Sequence, residues 1–156
     1  MNIDINDRIK ELGITIPKPP VAGGIYTPAL EFGEKFVYSS GCGPILNGVP
    51  VHVGKVGSDI TLEQGQEAAK ACILNVLSVV QAQIGDLNRI KRAVKVLAFV
   101  ASSDTFFEQP KVINAASQIL IDIFGETVGK PARSAIGVNV LPGNIPVEIE
   151  VLFELK

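Results

Sequence analysis

The strongest constraint on the fold is a long amphipathic helix predicted in the middle of the chain. Residues 61–85 read TLEQGQEAAKACILNVLSVVQAQIG. Thr61 and Gln64 stand at the two positions of a capping box, and Gly85 has the position of a C-terminal stop. Apolar residues recur between them at helical spacing: Ala68, Ala69, Cys72, Ile73, Val76, Leu77 and Val80. Such a helix needs a second layer of structure against which its apolar stripe can pack.

A second helix is predicted to begin near Pro110 and to end at Gly125, because proline is favoured in a first helical turn and glycine just after a last one. Its apolar stripe comprises Val112, Ile113, Ala116, Ile119, Leu120 and Ile123. A short helix is predicted over residues 4–12, capped by Asp4 or Asn6 and ended by Gly13. A connector rich in proline and glycine follows it and is not helical.

The remaining segments predict the second layer, a sheet. Pro28 makes IYTPALEFG an edge or irregular strand, and CGPILNG is predicted as a turn. VPVHVGKVG is predicted as a short strand or irregular edge. Apolar or alternating runs predict the other strands: KFVYSSG, RAVKVLAFVAS, ARSAIGVNVL and, from Pro146 onward, PVEIEVLFEL. This order predicts one α+β domain over residues 1–156, with both long helices on one face of the sheet and residues 1–19 as an N-terminal extension.

The composition predicts association between copies of the chain. Apolar residues make up 47% and charged residues only 19% of the 156, and the mean hydropathy is +0.34. One face of the sheet is left without helices, so we expect it to be buried in a homo-oligomer. The net charge is −2, and basic residues cluster only around Lys91 and Arg92. This pattern argues against nucleic acid as a partner.

The sequence also predicts a cytoplasmic protein. Its N-terminus lacks the apolar core of a signal peptide, and no run of about 18 apolar residues would span a membrane. Cys42 and Cys72 do not form a CxxC pair, so we expect two free thiols in a reducing compartment.

Several kinds of chemistry have no sequence support. His52 is the only histidine, whereas catalytic zinc sites usually use several His or Cys ligands, and no nucleotide-binding or metal-binding motif occurs. We therefore expect neither a metal nor a cofactor. A nucleophilic pair of Cys42 with His52 is formally possible, but nothing in the spacing favours it.

Arg133 and Glu148 are the most informative polar residues. The guanidinium of Arg133, in the loop PARS, suits either a bidentate bond to a ligand carboxylate or a structural ion pair. Glu148 and Glu150 alternate with apolar residues and therefore share one face of the last strand. That face either meets solvent or lines a cleft where a partly desolvated carboxylate could move protons. Spacing alone leaves these alternatives open.

PARSAIGVNVLPGNIPVEIEVL resembles the C-terminal signature of the RidA/YjgF family, also known as L-PSP-like endoribonucleases. GGIYTPALEFGEKFVYSSG and VINAASQILIDIFG resemble further segments of that family, so the resemblance covers roughly residues 20–156. The N-terminal extension resembles a branch with a longer N-terminus. The resemblance implies a chorismate-mutase-like fold, a homotrimer whose sheets form a central barrel, and ligand sites between subunits. It also implies cofactor-free hydrolysis of reactive enamines and imines to 2-keto acids and ammonia.

The resemblance also assigns roles to individual residues. Arg133 matches the arginine that holds the substrate carboxylate, and Glu148 matches the glutamate that positions the attacking water. Tyr26 and Asn114 match a tyrosine and an asparagine near the pocket, and Gly41 matches a glycine whose backbone lines it.

Two positions depart from the family pattern and alter the expected pocket wall. Ala135 replaces a cysteine found in many members, and Cys42 replaces a glutamine. The sequence is compatible with three functions: an imine or enamine deaminase, a module that binds a small carboxylate without turnover, and, less favoured, an endoribonuclease.

Overall fold

A five-stranded mixed sheet forms the centre of the domain in this computed structural model, which describes residues 4–156. Its strands lie in the order β1-β2-β7-β5-β6; β5 and β6 run parallel, and the other three neighbouring pairs run antiparallel. A small hairpin of β3 and β4 stands beside this sheet. The strands are β1 (Ala29–Phe32), β2 (Phe36–Ser39), β3 (Ile45–Leu46), β4 (Val49–Pro50), β5 (Ile90–Ala101), β6 (Ala132–Val138) and β7 (Val147–Leu155).

The helices form a second layer on one face of the sheet, as the sequence predicts. They are α1 (Ile5–Glu11), α2 (Leu62–Ile84), α3 (Gln109–Phe124) and α4 (Glu126–Gly129). The predicted capping box of α2 is confirmed: Thr61 N donates to Gln64 Oε1 at 2.9 Å, and Gln64 N donates to Thr61 Oγ1 at 3.2 Å. α2 packs over β1, β2 and β7, whereas α3 packs over β5 and β6. None of the helices within residues 4–156 has the length and apolar character needed to cross a bilayer.

The side chains of β7 alternate between the two faces of the sheet. Its odd-numbered residues, from Val147 to Leu155, are buried under the helices, and the residues between them are partly exposed. This alternation follows from the two-residue period of a strand. Glu148 and Glu150 therefore lie on the face opposite the helices, which we call the open face.

The open face carries an exposed apolar surface. Leu30 is 56% exposed, and Phe32, Tyr38 and Ile136 are each at least 40% exposed. The strand register places Leu30 opposite Tyr38, and Ile136 opposite Phe99, which in turn lies opposite Glu148. These side chains consequently share one face of the sheet, and a single chain leaves that face uncovered.

The N-terminal extension is attached to the helix layer. Asp4 caps α1 as predicted, and Ile5 and Ile9 are buried. Arg8 Nε donates to the backbone oxygen of Asp122 in α3 at 3.0 Å, and Ser78 Oγ of α2 donates to Pro17 O at 2.6 Å. The extension therefore packs against α2 and α3 before the chain reaches the first strand.

The structure corrects the prediction for residues 42–48. The segment predicted as a turn contains β3, whereas the next segment, predicted as a short strand or irregular edge, has the two-residue strand Val49–Pro50. Asn47 and Gly48 join the two strands with positive φ angles of 53° and 80°. An Asn-Gly pair with two positive φ angles is typical of a tight hairpin turn, and this signal was missed. The sequence also did not predict the short helix α4.

Candidate functional site

A cavity of about 470 Å³ lies where β2 and β7 meet the β3–β4 hairpin and the N-terminal connector. Tyr26, Gly41, Cys42 and Glu148 are among the residues that line it. The structure therefore brings together these four predicted site residues. The volume lies within the range of small-molecule binding sites.

The carboxyl group of Glu148 lies directly against the backbone of Gly41. A Cβ atom added to Gly41 would lie 2.8 Å from Glu148 Cδ and would also overlap Glu148 Oε1. Any larger residue at position 41 would therefore have to displace the carboxyl group. The glycine at this position therefore leaves room for the carboxyl group to lie against the backbone.

The environment of Glu148 raises the pKa of its carboxyl group. Partial burial is the main cause, and the negative charge of Glu150 adds to it. Both effects disfavour the ionised form. A carboxyl group with a raised pKa exchanges protons more readily near neutral pH than an ordinary exposed glutamate does.

Glu150 is held in place by Tyr38 on the neighbouring strand. The hydroxyl group of Tyr38 donates a hydrogen bond to Glu150 Oε1. This hydrogen bond is the main cause that raises the pKa of Tyr38 to about 12, so the phenol stays protonated. The negative charge of Glu150 is thereby kept on the same face as Glu148, two residues away.

Replacing Glu150 with glutamine should lower the pKa of Glu148, because it removes one of the two causes that raise it. The pKa is measured by following the side-chain carboxyl carbon of Glu148 in a ¹³C NMR titration. Glu154→Gln is the matched control, since Glu154 lies on the same strand but pairs with Lys91 and Arg92. A pKa that stays the same or rises in Glu150→Gln would contradict this account.

Cys42 contributes a neutral thiol to the cavity wall. Burial, followed by the charge of Glu148, raises the pKa of this thiol to about 12. Its backbone N–H and C=O groups both form hydrogen bonds with the backbone of Ile149, at 2.8 and 3.1 Å.

The side chain of His52 contacts Glu67, with 2.7 Å between His52 Nε2 and Glu67 Oε2. The structure gives no support to a Cys42–His52 nucleophilic pair, because His52 contacts Glu67 and a buried thiol with a raised pKa is a poor nucleophile. Both cysteines are free, as predicted.

Tyr26 holds the connector at the mouth of the cavity. Its hydroxyl oxygen accepts a hydrogen bond from the backbone N–H of Gly23 at 3.1 Å. Residues 20–23 line the cavity together with Tyr26. The end of the N-terminal extension therefore forms part of the wall.

Arg133 and Asn114 also come together, but at a different place. Arg133 Nη1 donates to Asn114 Oδ1 at 2.9 Å and to Ser117 Oγ at 3.1 Å. They line a second cavity of about 370 Å³, which Lys130 also borders. No carboxylate of residues 4–156 forms an ion pair with Arg133. Its guanidinium therefore donates hydrogen bonds to neutral oxygen atoms and does not form a structural ion pair with a carboxylate of these residues.

Arg133 and Glu148 lie on opposite faces of the sheet within one chain. The register aligns Arg133 with Val96 and Val151, whose side chains are buried under the helices. Ala135, two residues further along, packs against the hydrophobic core and belongs to neither set of lining residues. The predicted site residues are thus divided between two cavities and the edge of the core.

Sequence reasoning missed the apolar part of the first cavity. Ile45, Val79, Pro142 and Ile145 line it. Nothing in their spacing distinguishes them from residues of a core. Within residues 4–156 no three His, Cys, Asp or Glu side chains lie close enough to hold a metal ion together.

The comparisons with known proteins agree on the family. The family model described as YjgF/chorismate mutase-like, with endoribonuclease as the suggested activity, matches residues 6–155. Protein TCP17 of Trypanosoma cruzi is 40% identical over 149 residues, which cover 96% of this chain and 92% of that protein. A RutC family protein of Aquifex aeolicus is 27% identical over 140 residues, covering 89% of this chain and 95% of the relative.

Solved structures share the fold of this chain. Atu1372, an Agrobacterium tumefaciens protein of unknown function, is 40% identical, with a TM-score of 0.87 over 97% of this chain and 92% of its own. A candidate endoribonuclease from Shewanella oneidensis is 27% identical and gives 0.93 over 98% of this chain and all of its own. The chain, with its mixed sheet, its four helices and its near-complete match to the family model, belongs to the YjgF/chorismate mutase-like family.

Proposed function

We propose that the protein hydrolyses reactive 2-imino acids, and the 2-enamino acids from which they form, to 2-keto acids and ammonia without a cofactor. The observation that carries this proposal is the position of Glu148. Its partly buried carboxyl group lies against Gly41 in a cavity of small-molecule size, with a pKa raised by burial. Such a carboxyl group is suited to accept a proton from water and to return it to a leaving amine.

The reaction requires only water and proton transfers. An enamine first takes up a proton at C3 and becomes an iminium ion. The oxygen atom of a water molecule then attacks C2 and forms the C–O bond. Glu148 accepts one proton from this water molecule. Glu148 returns this proton to the nitrogen, the C2–N bond breaks and ammonia leaves. The remaining hydroxyl proton passes to solvent as the C2 carbonyl forms.

Arg133 is the group proposed to bind the substrate carboxylate. Its planar guanidinium suits a bidentate bond, and it has no carboxylate partner among residues 4–156. Because Arg133 and Glu148 face different cavities within one chain, we propose that a complete site combines Arg133 of one subunit with Glu148 of another. The proposed assembly is a homotrimer in which the exposed apolar residues of the open face are buried.

The assembly is tested by light scattering coupled to size exclusion. A homotrimer should have three times the 16.6 kDa mass of the chain. The Leu30→Asp substitution should weaken the assembly, because it introduces a charge at a position that is 56% exposed on the open face. Val140→Asp, at an exposed position beyond the end of β6, is the control. A wild-type protein that remains monomeric at high concentration would contradict the shared site.

The activity is tested by trapping. An amino-acid oxidase generates the imine, and semicarbazide captures whatever the protein has not hydrolysed. We expect the wild-type protein to suppress semicarbazone formation in proportion to its concentration. Equal trapping with and without the protein would reject the deaminase. A 2-keto acid that still bound in calorimetry would then favour the second candidate, a module that binds small carboxylates without turnover.

Endoribonuclease activity is the third candidate because the family description and the Shewanella relative carry that name. The net charge of −2 does not favour binding to phosphate groups. His52, the only histidine, is engaged with Glu67. RNA cleavage by metal-free, nuclease-cleared protein that disappears in Arg133→Ala would make this candidate the better one.

Replacing Gly41 with alanine should reduce the rate of imine hydrolysis about tenfold, because the new Cβ atom displaces the Glu148 carboxyl group. The measurement is kcat with the imine of one amino acid. Gly24→Ala is the control, since a Cβ atom there would meet only Tyr26 at 3.6 Å, an ordinary contact, and Gly24 does not line the cavity. A Gly41→Ala protein as active as Gly24→Ala would show that the contact does not position Glu148 for catalysis.

A further inference from the structure

The lining of the cavity falls into two parts of different chemical character. Ser40, Gly41 and Glu148 form the polar part and also line an adjoining hollow of about 390 Å³ bordered by Tyr26. The part that we call the apolar chamber is lined by residues that do not border this hollow: Cys42, Ile45, Pro50, Val79 and Ile145. The proposed chemistry needs the polar part only, so the apolar chamber requires a separate explanation.

The apolar chamber has a fixed shape. Asn75, which is 1% exposed, donates from Nδ2 to the backbone oxygens of Gly43 and Ile45 at 2.9 and 2.8 Å. A Cβ atom on Gly43 would lie 2.7 Å from Ile145 Cδ1, so the isoleucine packs directly over this glycine. Val79 projects from the long helix α2 and is 3% exposed. The walls therefore come from elements that are themselves held by packing and hydrogen bonds.

The apolar chamber also lacks a partner for a charged ligand group. Glu148 carries the only carboxyl group among the residues of one chain that line the whole cavity, and no lysine or arginine of that chain is among them. The Cys42 thiol is neutral, since burial raises its pKa to about 12. An ammonium or carboxylate group placed there would lose its hydration without gaining a bond. An aliphatic group would instead gain from burial.

We propose that the apolar chamber binds the side chain of the substrate and makes the protein selective for 2-imino acids with neutral aliphatic side chains. The longer aliphatic chains are preferred, and acidic side chains are rejected. This inference rests on the proposed function for its choice of ligand. It adds Cys42, Val79 and Ile145 as residues that determine specificity.

The test uses stable 2-keto acids as probes, so that binding is measured apart from turnover. Isothermal calorimetry gives the Kd of pyruvate, 2-oxobutanoate, 2-oxopentanoate and 4-methyl-2-oxopentanoate with the assembled wild-type protein. Each added CH₂ group should lower Kd about fourfold, in line with burial of aliphatic surface. The dicarboxylate 2-oxopentanedioate should bind at least about tenfold more weakly than 2-oxopentanoate. Equal Kd values for all the monocarboxylates, or tighter binding of the dicarboxylate than of 2-oxopentanoate, would overturn the proposal.

Two substitutions at one position provide a matched comparison. Cys42→Ala keeps the wall apolar and should preserve the dependence of Kd on chain length. Cys42→Gln brings an amide into the apolar chamber and should remove most of that dependence, while pyruvate binding changes little. Val79→Thr, which keeps the shape of the side chain, serves if Cys42→Gln does not fold, as judged by thermal unfolding. Equal chain-length dependence in the glutamine and alanine variants, or in Val79→Thr and the wild type, would count against the proposed wall.

Parallel assays separate this inference from the proposed function. Keto acids that bind according to chain length, without imine hydrolysis, would reject the deaminase and retain the apolar chamber as a side-chain site. Hydrolysis of all imines at equal kcat/KM, together with equal Kd values for the 2-keto acids of different chain length, would retain the deaminase. It would reject the apolar chamber as a side-chain site.

Discussion

Replacing Glu148 with glutamine should lower kcat for imine hydrolysis by about 10²- to 10⁴-fold, the usual contribution of a positioned acid–base group. Glutamine has nearly the same size and can occupy the same place beside Gly41, so the cavity keeps its shape. The amide can neither accept a proton from water nor return one to nitrogen. The measurement is single-turnover hydrolysis of an imine, compared with the uncatalysed rate.

The controls for Glu148→Gln separate proton transfer from binding. The Kd of 2-oxobutanoate should change by less than about threefold, because the proposed carboxylate anchor, Arg133, is a different residue that does not line this cavity within one chain. Glu154→Gln, on the same strand but outside the cavity, should keep wild-type activity. A Glu148→Gln protein with nearly normal kcat would exclude Glu148 as the acid–base group, whatever its effect on affinity.

Replacing Arg133 with alanine should weaken binding of 2-keto acids about 100-fold, because two charge-assisted hydrogen bonds to a carboxylate are lost. Arg133→Lys keeps the charge but not the planar fork, so its affinity should lie between those of the other two proteins. Calorimetry with 2-oxobutanoate measures both. Lys130→Ala is the control, since Lys130 borders the same cavity but pairs with Glu126 at 3.3 Å. Unchanged affinity in Arg133→Ala would place the carboxylate site elsewhere.

Mixing the Glu148→Gln and Arg133→Ala variants tests whether the site is shared between subunits, in an assay at a substrate concentration too low to saturate Arg133→Ala. A trimer that contains both Glu148→Gln and Arg133→Ala chains has one interface where an intact Glu148 meets an intact Arg133. After unfolding and refolding together at equal amounts, about a quarter of wild-type activity should return. If each site belongs to one subunit, the mixture should be no more active than the two variants refolded separately. Each variant refolded alone gives the baseline, and refolded wild type gives the yield.

Local sequence patterns predicted the parts of the fold that depend on neighbouring residues. The Thr61–Gln64 capping box and the two apolar stripes predict α2 and α3, because a helix is defined by contacts three and four residues apart. The alternation in β7 likewise places Glu148 and Glu150 on the face opposite the core. The β3–β4 hairpin was missed because the Asn47–Gly48 turn joins strands of only two residues each, too short to show a period.

The candidate site was only partly predictable, since it depends on contacts between distant segments. The resemblance pointed to both Arg133 and Glu148, yet their spacing could not reveal that they face different sides of the sheet. That separation results from the register of β6 against β5. Val79 and Ile145 were not singled out, because an apolar residue facing a cavity and one facing a core look alike in sequence.

The path of the N-terminal extension bears on how the ligand range of such a protein can change. The chain is fixed to α3 through Arg8 and to α2 through the carbonyl of Pro17, and then forms the cavity wall up to Gly23. Only a few residues separate the last fixed point from the wall. Gaining or losing one residue there would move the wall while every strand, Glu148 and Arg133 stay in place. Loop length, which tolerates variation better than the sheet does, thus offers a route to new ligands that leaves the rest of the site unchanged.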